Sequence, residues 1–60
     1  MFNPFIIKHK LTDAEFLVLQ YYERRYSGMY LMVNMQTQLF TLVDEIKFRT
    51  NYKFKEFYGK

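Results

Sequence analysis

Apolar residues recur along the middle of the chain with the spacing of an α-helix. Within residues 29–50 one apolar subset follows the 3-4-3-4 spacing of a heptad seam, and most polar residues fall on the opposite side of a helical projection. That subset is Met32, Met35, Leu39, Leu42 and Ile46. The same segment contains β-favouring residues such as Tyr30, Val33 and Phe40. The periodicity favours the helical interpretation, so the pattern predicts a helix over about residues 30–50.

A start signal and a stop signal predict a second helix over about residues 13–27. Thr12 and Glu15 have the spacing of a capping box, and Leu11 and Phe16 have that of a hydrophobic staple. Gly28 follows as a residue typical of helix ends. Because the turn between the two helices is short, we expect them to lie side by side and antiparallel.

The segments that flank these helices, residues 5–10 and 52–58, are rich in residues that favour extended backbone. An antiparallel hairpin brings both segments to one end, where they could pair as a two-stranded ribbon. The second segment could instead continue as a helical turn or lie over the hairpin. The sequence therefore predicts a mainly α fold in a single small domain of residues 1–60. Its architecture would be an antiparallel helical hairpin with short extended N- and C-terminal segments.

Residues 11–19, with the sequence LTDAEFLVL, resemble the opening helix of helix-turn-helix regulators. The resemblance implies a short second helix and then a recognition helix with basic residues. In place of these two helices the sequence has a long amphipathic segment with the acidic pair Asp44 and Glu45. The resemblance therefore assigns a DNA-binding role to no residue of this chain. The predicted plan is also similar to small hairpins that dimerise into four-helix bundles, some of which bind RNA.

The composition indicates more apolar surface than a domain of this size can hide. Half of the 60 residues are hydrophobic and 22% are aromatic, whereas folding at this length buries only about 60% of the surface of the unfolded chain. Cysteine is absent and His9 is the one histidine, so we expect no disulfide, no metal site and no cofactor. Association with a partner or with a second copy is the remaining source of stability.

Charge and hydropathy limit the partners further. No apolar run approaches the roughly 20 residues that span a bilayer, so we expect no membrane partner and a cytoplasmic location. The formal net charge of +3 is too modest to make nucleic-acid binding the first interpretation.

Groups able to carry catalysis are sparse in the sequence. Asp44 and Glu45 would point about 100° apart on a helix, so they would not share a site. Gly28 and Gly59 are the only glycines, so there is no glycine-rich phosphate loop. The chain is therefore predicted not to be an enzyme.

Tyrosine, arginine and methionine near residue 28 form the predicted contact surface for a larger protein. Tyrosine and arginine are enriched at interface hot spots, and flexible methionine suits surfaces that repack around partners. Core packing is the competing interpretation for Met32 and Met35, and a solvated helix end for the tyrosines and arginines. The predicted partner-binding residues are Tyr21, Tyr22, Arg24, Arg25, Tyr26, Met29, Met32 and Met35.

Cations interleave with aromatic rings at the opposite end of the predicted hairpin. Such a mixture can neutralise phosphates and stack on bases, but it is also typical of a half-buried strand. The possible nucleic-acid contacts are Lys8, Lys10, Lys47, Arg49, Tyr52, Lys53, Phe54 and Lys55.

The sequence favours a small non-catalytic protein–protein interaction module, a regulator or inhibitor that docks on a larger protein and self-associates. The alternative is a small basic nucleic-acid-binding regulator that uses its aromatic and basic ends. A third interpretation is a structural subunit of a large assembly.

Overall fold

In a computed structural model that describes residues 2–59, the chain forms a five-stranded antiparallel sheet and one short helix. The elements in chain order are β1 (Phe5–His9), β2 (Glu15–Tyr22), β3 (Met29–Asn34), β4 (Phe40–Asp44), α1 (Glu45–Asn51) and β5 (Tyr52–Phe57). The strands lie in the order β4-β3-β2-β1-β5. The first four strands therefore form a meander, β5 returns to pair with β1, and β4 and β5 are the two edges.

The predicted helical hairpin is wrong, because both of its helices are replaced largely by strands. β2 occupies most of the first predicted helix, and β3 and β4 occupy most of the second. In β3 the side chains of Tyr30 and Met32 point toward α1, whereas Leu31 and Val33 point away from it. All four are apolar. Since a continuous apolar run fits a helical period as well as a strand period, the spacing was not diagnostic.

The predicted helix start at Thr12 is a turn between β1 and β2. The Ala14 N–H donates to Thr12 Oγ1 at 3.3 Å, and Asp13 adopts a φ of 62°. The Asp13 N–H donates to the His9 carbonyl at 3.0 Å. A threonine hydroxyl accepts a backbone N–H in a turn in the same way as it does at the start of a helix, so the sequence signal fits both structures. The resemblance to a helix-turn-helix opening is therefore not matched by a helix.

The pairing that the sequence left open between the two flanking segments is present, as part of a larger sheet. β1 and β5 run antiparallel, with Phe5 opposite Phe57 and His9 opposite Tyr52. A register shift interrupts this pair midway along β1. This pairing adds β5 to the meander as an edge strand, and it does not lie at the end of a helical hairpin.

The core lies between the sheet and α1, on what we call the inner face. On this face each of the first four strands contributes one buried side chain, and these are Ile7, Val18, Met32 and Val43. Partly buried hydrophobic residues surround this cluster, namely Phe2, Phe5, Phe16, Tyr30, Phe48 and Tyr52. Because side chains alternate across a strand, one face of the sheet can supply this core while the other points outward.

Local capping explains why α1 forms where β4 ends. The Asp44 carboxylate accepts a hydrogen bond from the Lys47 N–H at 2.9 Å, which satisfies one of the free donors of the first turn. Glu45 in the first turn and Arg49 in the last turn both complement the helix dipole. None of the helical structure within residues 2–59 has the length and apolar character that crossing a bilayer requires.

Candidate interaction surface

The sheet face that points away from α1 carries a second set of apolar side chains. One cross-strand row places Leu17 opposite Ile6 on one side and opposite Val33 on the other, and Val33 lies opposite Phe40. A second row places Leu31 opposite Leu42. We call this surface the outer face, and its apolar residues are Ile6, Leu17, Leu31, Val33, Phe40 and Leu42.

Exposure on the outer face increases toward β4. Ile6 is only 6% exposed and Leu17 is half-buried, whereas Phe40 is 65% exposed and Leu42 is 57% exposed. Isolated apolar side chains are common on protein surfaces, but contiguous apolar rows mark binding sites. Within residues 2–59 the only helix lies on the inner face, so no helix covers these rows.

Charged residues border the outer face on its β1 and β5 side. Glu15 accepts a hydrogen bond from Lys55 at 2.7 Å and lies 4.0 Å from Lys8. The hydrogen bond from Lys55 lowers the pKa of Glu15, and the same bond raises the pKa of Lys55. Lys53 lies opposite Lys8 across the strands. Glu56 lies opposite Ile6, so three lysines and two carboxylates leave this border with a small positive charge.

Glu45 joins α1 to the loop between β2 and β3. Its Oε1 accepts hydrogen bonds from the Tyr21 hydroxyl at 3.1 Å and the Gly28 N–H at 3.2 Å, and its Oε2 accepts one from Arg49 at 2.6 Å. The bond from Arg49 is the main cause of a lowered pKa of Glu45. Burial, and then the hydrogen bond to Glu45, raise the pKa of Tyr21. Both carboxylate oxygens serve internal donors, so Glu45 has a structural role.

The structure separates the methionines that the sequence groups together. Met32 is 0% exposed and belongs to the core, so its side chain forms no surface. Met35 is 41% exposed in the turn between β3 and β4. Tyr21 points to the inner face, where it is held by Glu45. The residues in the predicted partner set therefore do not form one continuous surface.

The remaining residues of that set lie at the β2–β3 end of the sheet. Tyr22 lies opposite Met29, next to the second apolar row of the outer face. Arg24 donates to the Met29 sulfur at 2.9 Å, and the Arg25 guanidinium stands 5.7 Å from the centre of the Tyr26 ring. The structure thus brings five of the predicted partner-binding residues together at one margin of the outer face.

The possible nucleic-acid contacts lie on two sides of the molecule. Lys8, Lys53 and Lys55 border the outer face, and Lys10 follows β1 in the turn, where its N–H donates to the Asn51 carbonyl. Lys47 lies in α1 and is exposed. The lysines of this set are therefore divided among the border of the outer face, the turn after β1 and the helix, and they do not form one patch.

The other three residues of the nucleic-acid set are engaged within the molecule. Arg49 is paired with Glu45. Tyr52 packs edge-on against Phe16, with ring centroids 5.5 Å apart, and Phe54 packs against Phe5 at 5.8 Å. These two rings belong to the inner face, away from the lysines of the outer-face border.

Sequence reasoning did not identify the outer face as a surface. The available signal was the alternation in β4, where Phe40 and Leu42 are separated by the polar Thr41. That alternation indicates a strand with one apolar side, but the face is recognised only when the register of the neighbouring strands is known.

Within residues 2–59 no group of three or more histidine, aspartate or glutamate side chains is arranged to hold a metal ion. Comparison of the chain with protein-family models, with curated proteins and with solved structures finds no match.

Proposed function

We propose that this protein is a small non-catalytic interaction module, a regulator or inhibitor that docks on a larger protein through its outer face. The observation that supports this function is the apolar row from Ile6 to Phe40 on the side of the sheet opposite α1. The proposed mode of action is contact, with the sheet acting as a rigid platform.

The exposure of the outer face supplies the driving force. Full burial of a leucine or phenylalanine side chain stabilises a complex by about 1.5–3 kcal/mol relative to full exposure. Phe40 and Leu42 are each more than half exposed, so a partner that covers both residues gains a substantial part of this burial free energy from each of them. The gain must exceed the entropy lost on association, which favours a partner that covers the whole face.

The border of the outer face indicates the chemistry of that partner. Interfaces commonly combine an apolar centre with a polar rim. Here Gln20 lies opposite Leu31, and the lysines beside Glu15 form a positive margin. The surface that fits this arrangement is an apolar groove or ridge with acidic residues along one side.

The proposal gives the chain no catalytic step, and it includes a cytoplasmic location. The lack of cysteine in the 60 residues is compatible with a reducing compartment.

Site-specific photo-crosslinking in the native host tests the proposed function. A photoreactive phenylalanine analogue replaces Gln20, which is exposed on the outer face, and a matched control places it at Gln36 in the turn between β3 and β4. We expect irradiation to join one discrete protein to the probe at residue 20 and not to the probe at residue 36. Equal yields at both positions, or no adduct at either, would contradict docking through the outer face.

A nuclease arm separates a protein partner from nucleic acid. Adducts formed at residue 20 should survive nuclease treatment if the partner is a protein. Adducts that disappear with nuclease, together with binding that is lost steeply between about 50 and 200 mM salt, would instead support the nucleic-acid-binding alternative.

A further inference from the structure

β4 is a sheet edge whose outward backbone groups have no strand partner within residues 2–59. The Asn34 N–H donates to the Leu39 carbonyl at 2.9 Å, and the Glu45 N–H donates to the Gly28 carbonyl at 2.9 Å. The backbone groups of residues 39 and 45 therefore point toward β3. Since this direction alternates along a strand, Phe40, Leu42 and Asp44 direct their N–H and C=O groups to the free edge.

The other edge of the sheet is protected against strand pairing, and β4 is not. β5 carries Lys53, Lys55 and Glu56, and a register shift interrupts its pairing with β1. Charged side chains and irregular register are the devices by which edge strands resist pairing with another chain. The sequence of β4, FTLVD, contains neither lysine nor proline, and its exposed apolar residues Phe40 and Leu42 flank Thr41.

We propose that β4 pairs antiparallel with β4 of a second copy, which joins the two sheets into one continuous sheet around a two-fold axis. This inference rests on the proposed interaction function, because it names a second copy as one partner of the chain. The register that fits best places Thr41 opposite its own equivalent. Phe40 then lies opposite Leu42 of the other copy, and these two residues exchange both backbone hydrogen bonds, twice by symmetry.

The side chains are self-complementary in this register. Phe40 and Leu42 share the outer face, so the two apolar rows meet and continue across the junction. On the inner side the two Thr41 side chains meet, and threonine pairs are favourable between antiparallel strands. The outer face of each copy remains open to a larger partner.

The distribution of charge also favours a second copy at this edge. Asp44 is the only ionisable side chain of β4, and its carboxylate already accepts the Lys47 N–H. The proposed register places Asp44 opposite Gln38 of the other copy, so no like charges oppose each other. Lys8, Lys53 and Lys55 lie on the strands farthest from β4, so they stay at the outer ends of the pair.

The size of the junction sets the strength of the association. β4 has five residues, and a strand of that length spans about 17 Å. A pair of such strands buries much less than the roughly 800 Å² per partner of a standard stable interface. We therefore expect a dimer that forms reversibly with rising concentration.

Sedimentation equilibrium from about 10 µM to 1 mM tests this dimer. We expect the mass to rise from 7.5 kDa toward twice that value, and no further. Leu42→Pro removes the outward N–H without removing a bond to β3, so it should weaken association by about tenfold or more. Leu42→Ala keeps that N–H and loses only the side-chain contact with Phe40 of the other copy, so it should weaken association clearly less than Leu42→Pro does.

A second pair of variants decides the question if Leu42→Pro does not fold, as judged by circular dichroism. Phe40→Lys places a charge on the edge and should also abolish the dimer, whereas Leu11→Lys alters an exposed residue in the turn between β1 and β2, outside the proposed junction, and should not. A monomer at every concentration would overturn the proposal. So would association that Phe40→Lys leaves unchanged, or growth beyond a dimer.

The two proposals fail separately. If the edge dimer is absent but the probe at residue 20 still forms its adduct, the second copy is excluded and the docking function stands. If the dimer forms but the probe gives no adduct, docking on a larger protein is excluded.

Discussion

Tyr30 of β3 stacks on Phe48 of α1, with ring centroids 3.9 Å apart and ring planes 18° from parallel. The Phe48 ring also meets Phe5 of β1 edge-on at 6.3 Å and lies 6.0 Å from Tyr52 of β5. One aromatic residue of a seven-residue helix thus contacts three strands. These contacts explain how so short a helix is held against the sheet.

Phe48→Ala should lower the free energy of unfolding by about 2–3 kcal/mol, somewhat below the cost for a fully buried phenylalanine because the ring is only partly buried. Urea denaturation measures the change. Ile46→Ala alters an exposed residue of the same helix and should stay within about 0.5 kcal/mol of the unaltered chain. Equal effects of the two substitutions would contradict the position of α1.

The two methionines that the helical spacing placed on one stripe should differ in their contribution to stability. Met32→Ala should cost about 2–5 kcal/mol, because it leaves a cavity in the core. Met35→Ala should change stability by less than about 0.5 kcal/mol, because that side chain lies in an exposed turn. Thermal and urea unfolding of the pair would detect the difference, and similar losses would refute the assignment of Met32 to the core.

Glu45 should make stability depend on pH in the acid range. Its folded-state pKa is lowered, so its contribution is present above the pKa of the unfolded chain and is lost as the pH falls through the folded-state pKa. Glu45→Gln should therefore be less stable than the unaltered chain at pH 7, and the difference should shrink below about pH 4. Urea midpoints measured from neutral to acid pH test this.

Glu23→Gln provides the control for Glu45→Gln, because Glu23 is exposed in the loop between β2 and β3. It removes the same charge without removing the hydrogen bonds. A difference between Glu45→Gln and the unaltered chain that stays constant with pH would show that the carboxylate charge has no part in the network.

The same Glu45→Gln variant should move the titration of Tyr21. Loss of the carboxylate should bring the pKa of Tyr21 closer to its ordinary value, yet leave it raised, because burial is the larger cause. Burial alone raises the pKa of Tyr52, so that residue should be unaffected and serves as an internal control. Residue-resolved carbon NMR from neutral to alkaline pH measures both, and an unshifted Tyr21 would contradict its hydrogen bond to Glu45.

Gly28 is a position at which the backbone approaches a side chain too closely for any other residue. A Cβ at Gly28 would overlap the ring of Tyr21, which is itself packed against Tyr30. Gly28→Ala should therefore cost about 1–3 kcal/mol of unfolding free energy. Gly59→Ala meets no neighbouring atom and should cost less, limited to the strain of a φ of 78°. The reverse order of stabilities in urea would exclude the close approach.

The strands of the middle segment were partly visible in the sequence, through β-favouring residues such as Tyr30 and Val33. Their alternation was hidden because β3 carries apolar side chains on both faces, with Met32 in the core and Leu31 outside it. A strand of that kind has no hydrophobic period of two, so its residues fit a helical projection by chance. The pairing of the flanking segments was easier to anticipate, because apolar and charged residues alternate from Lys53 to Lys55.

The candidate surface depends on a feature that the sequence does not display. The register of β2 shifts between Val18 and Gln20, so Leu19 is an extra residue in that strand. Val18 and Tyr21 consequently share the inner face, although residues three apart in a regular strand would point to opposite faces. Because a bulge reverses the alternation of every later residue in the strand, the members of the outer face could not be assigned from spacing alone.

The pairing of Phe5 with Phe57 also has a consequence for the order of assembly during synthesis on the ribosome. β1 emerges first, yet one of its two neighbours is translated about fifty residues later, so the meander must persist with β1 as a temporary edge. Nascent chains that stall before β5 emerges would present Ile6 and Ile7 on an unprotected strand, and these are the species that chaperones should capture.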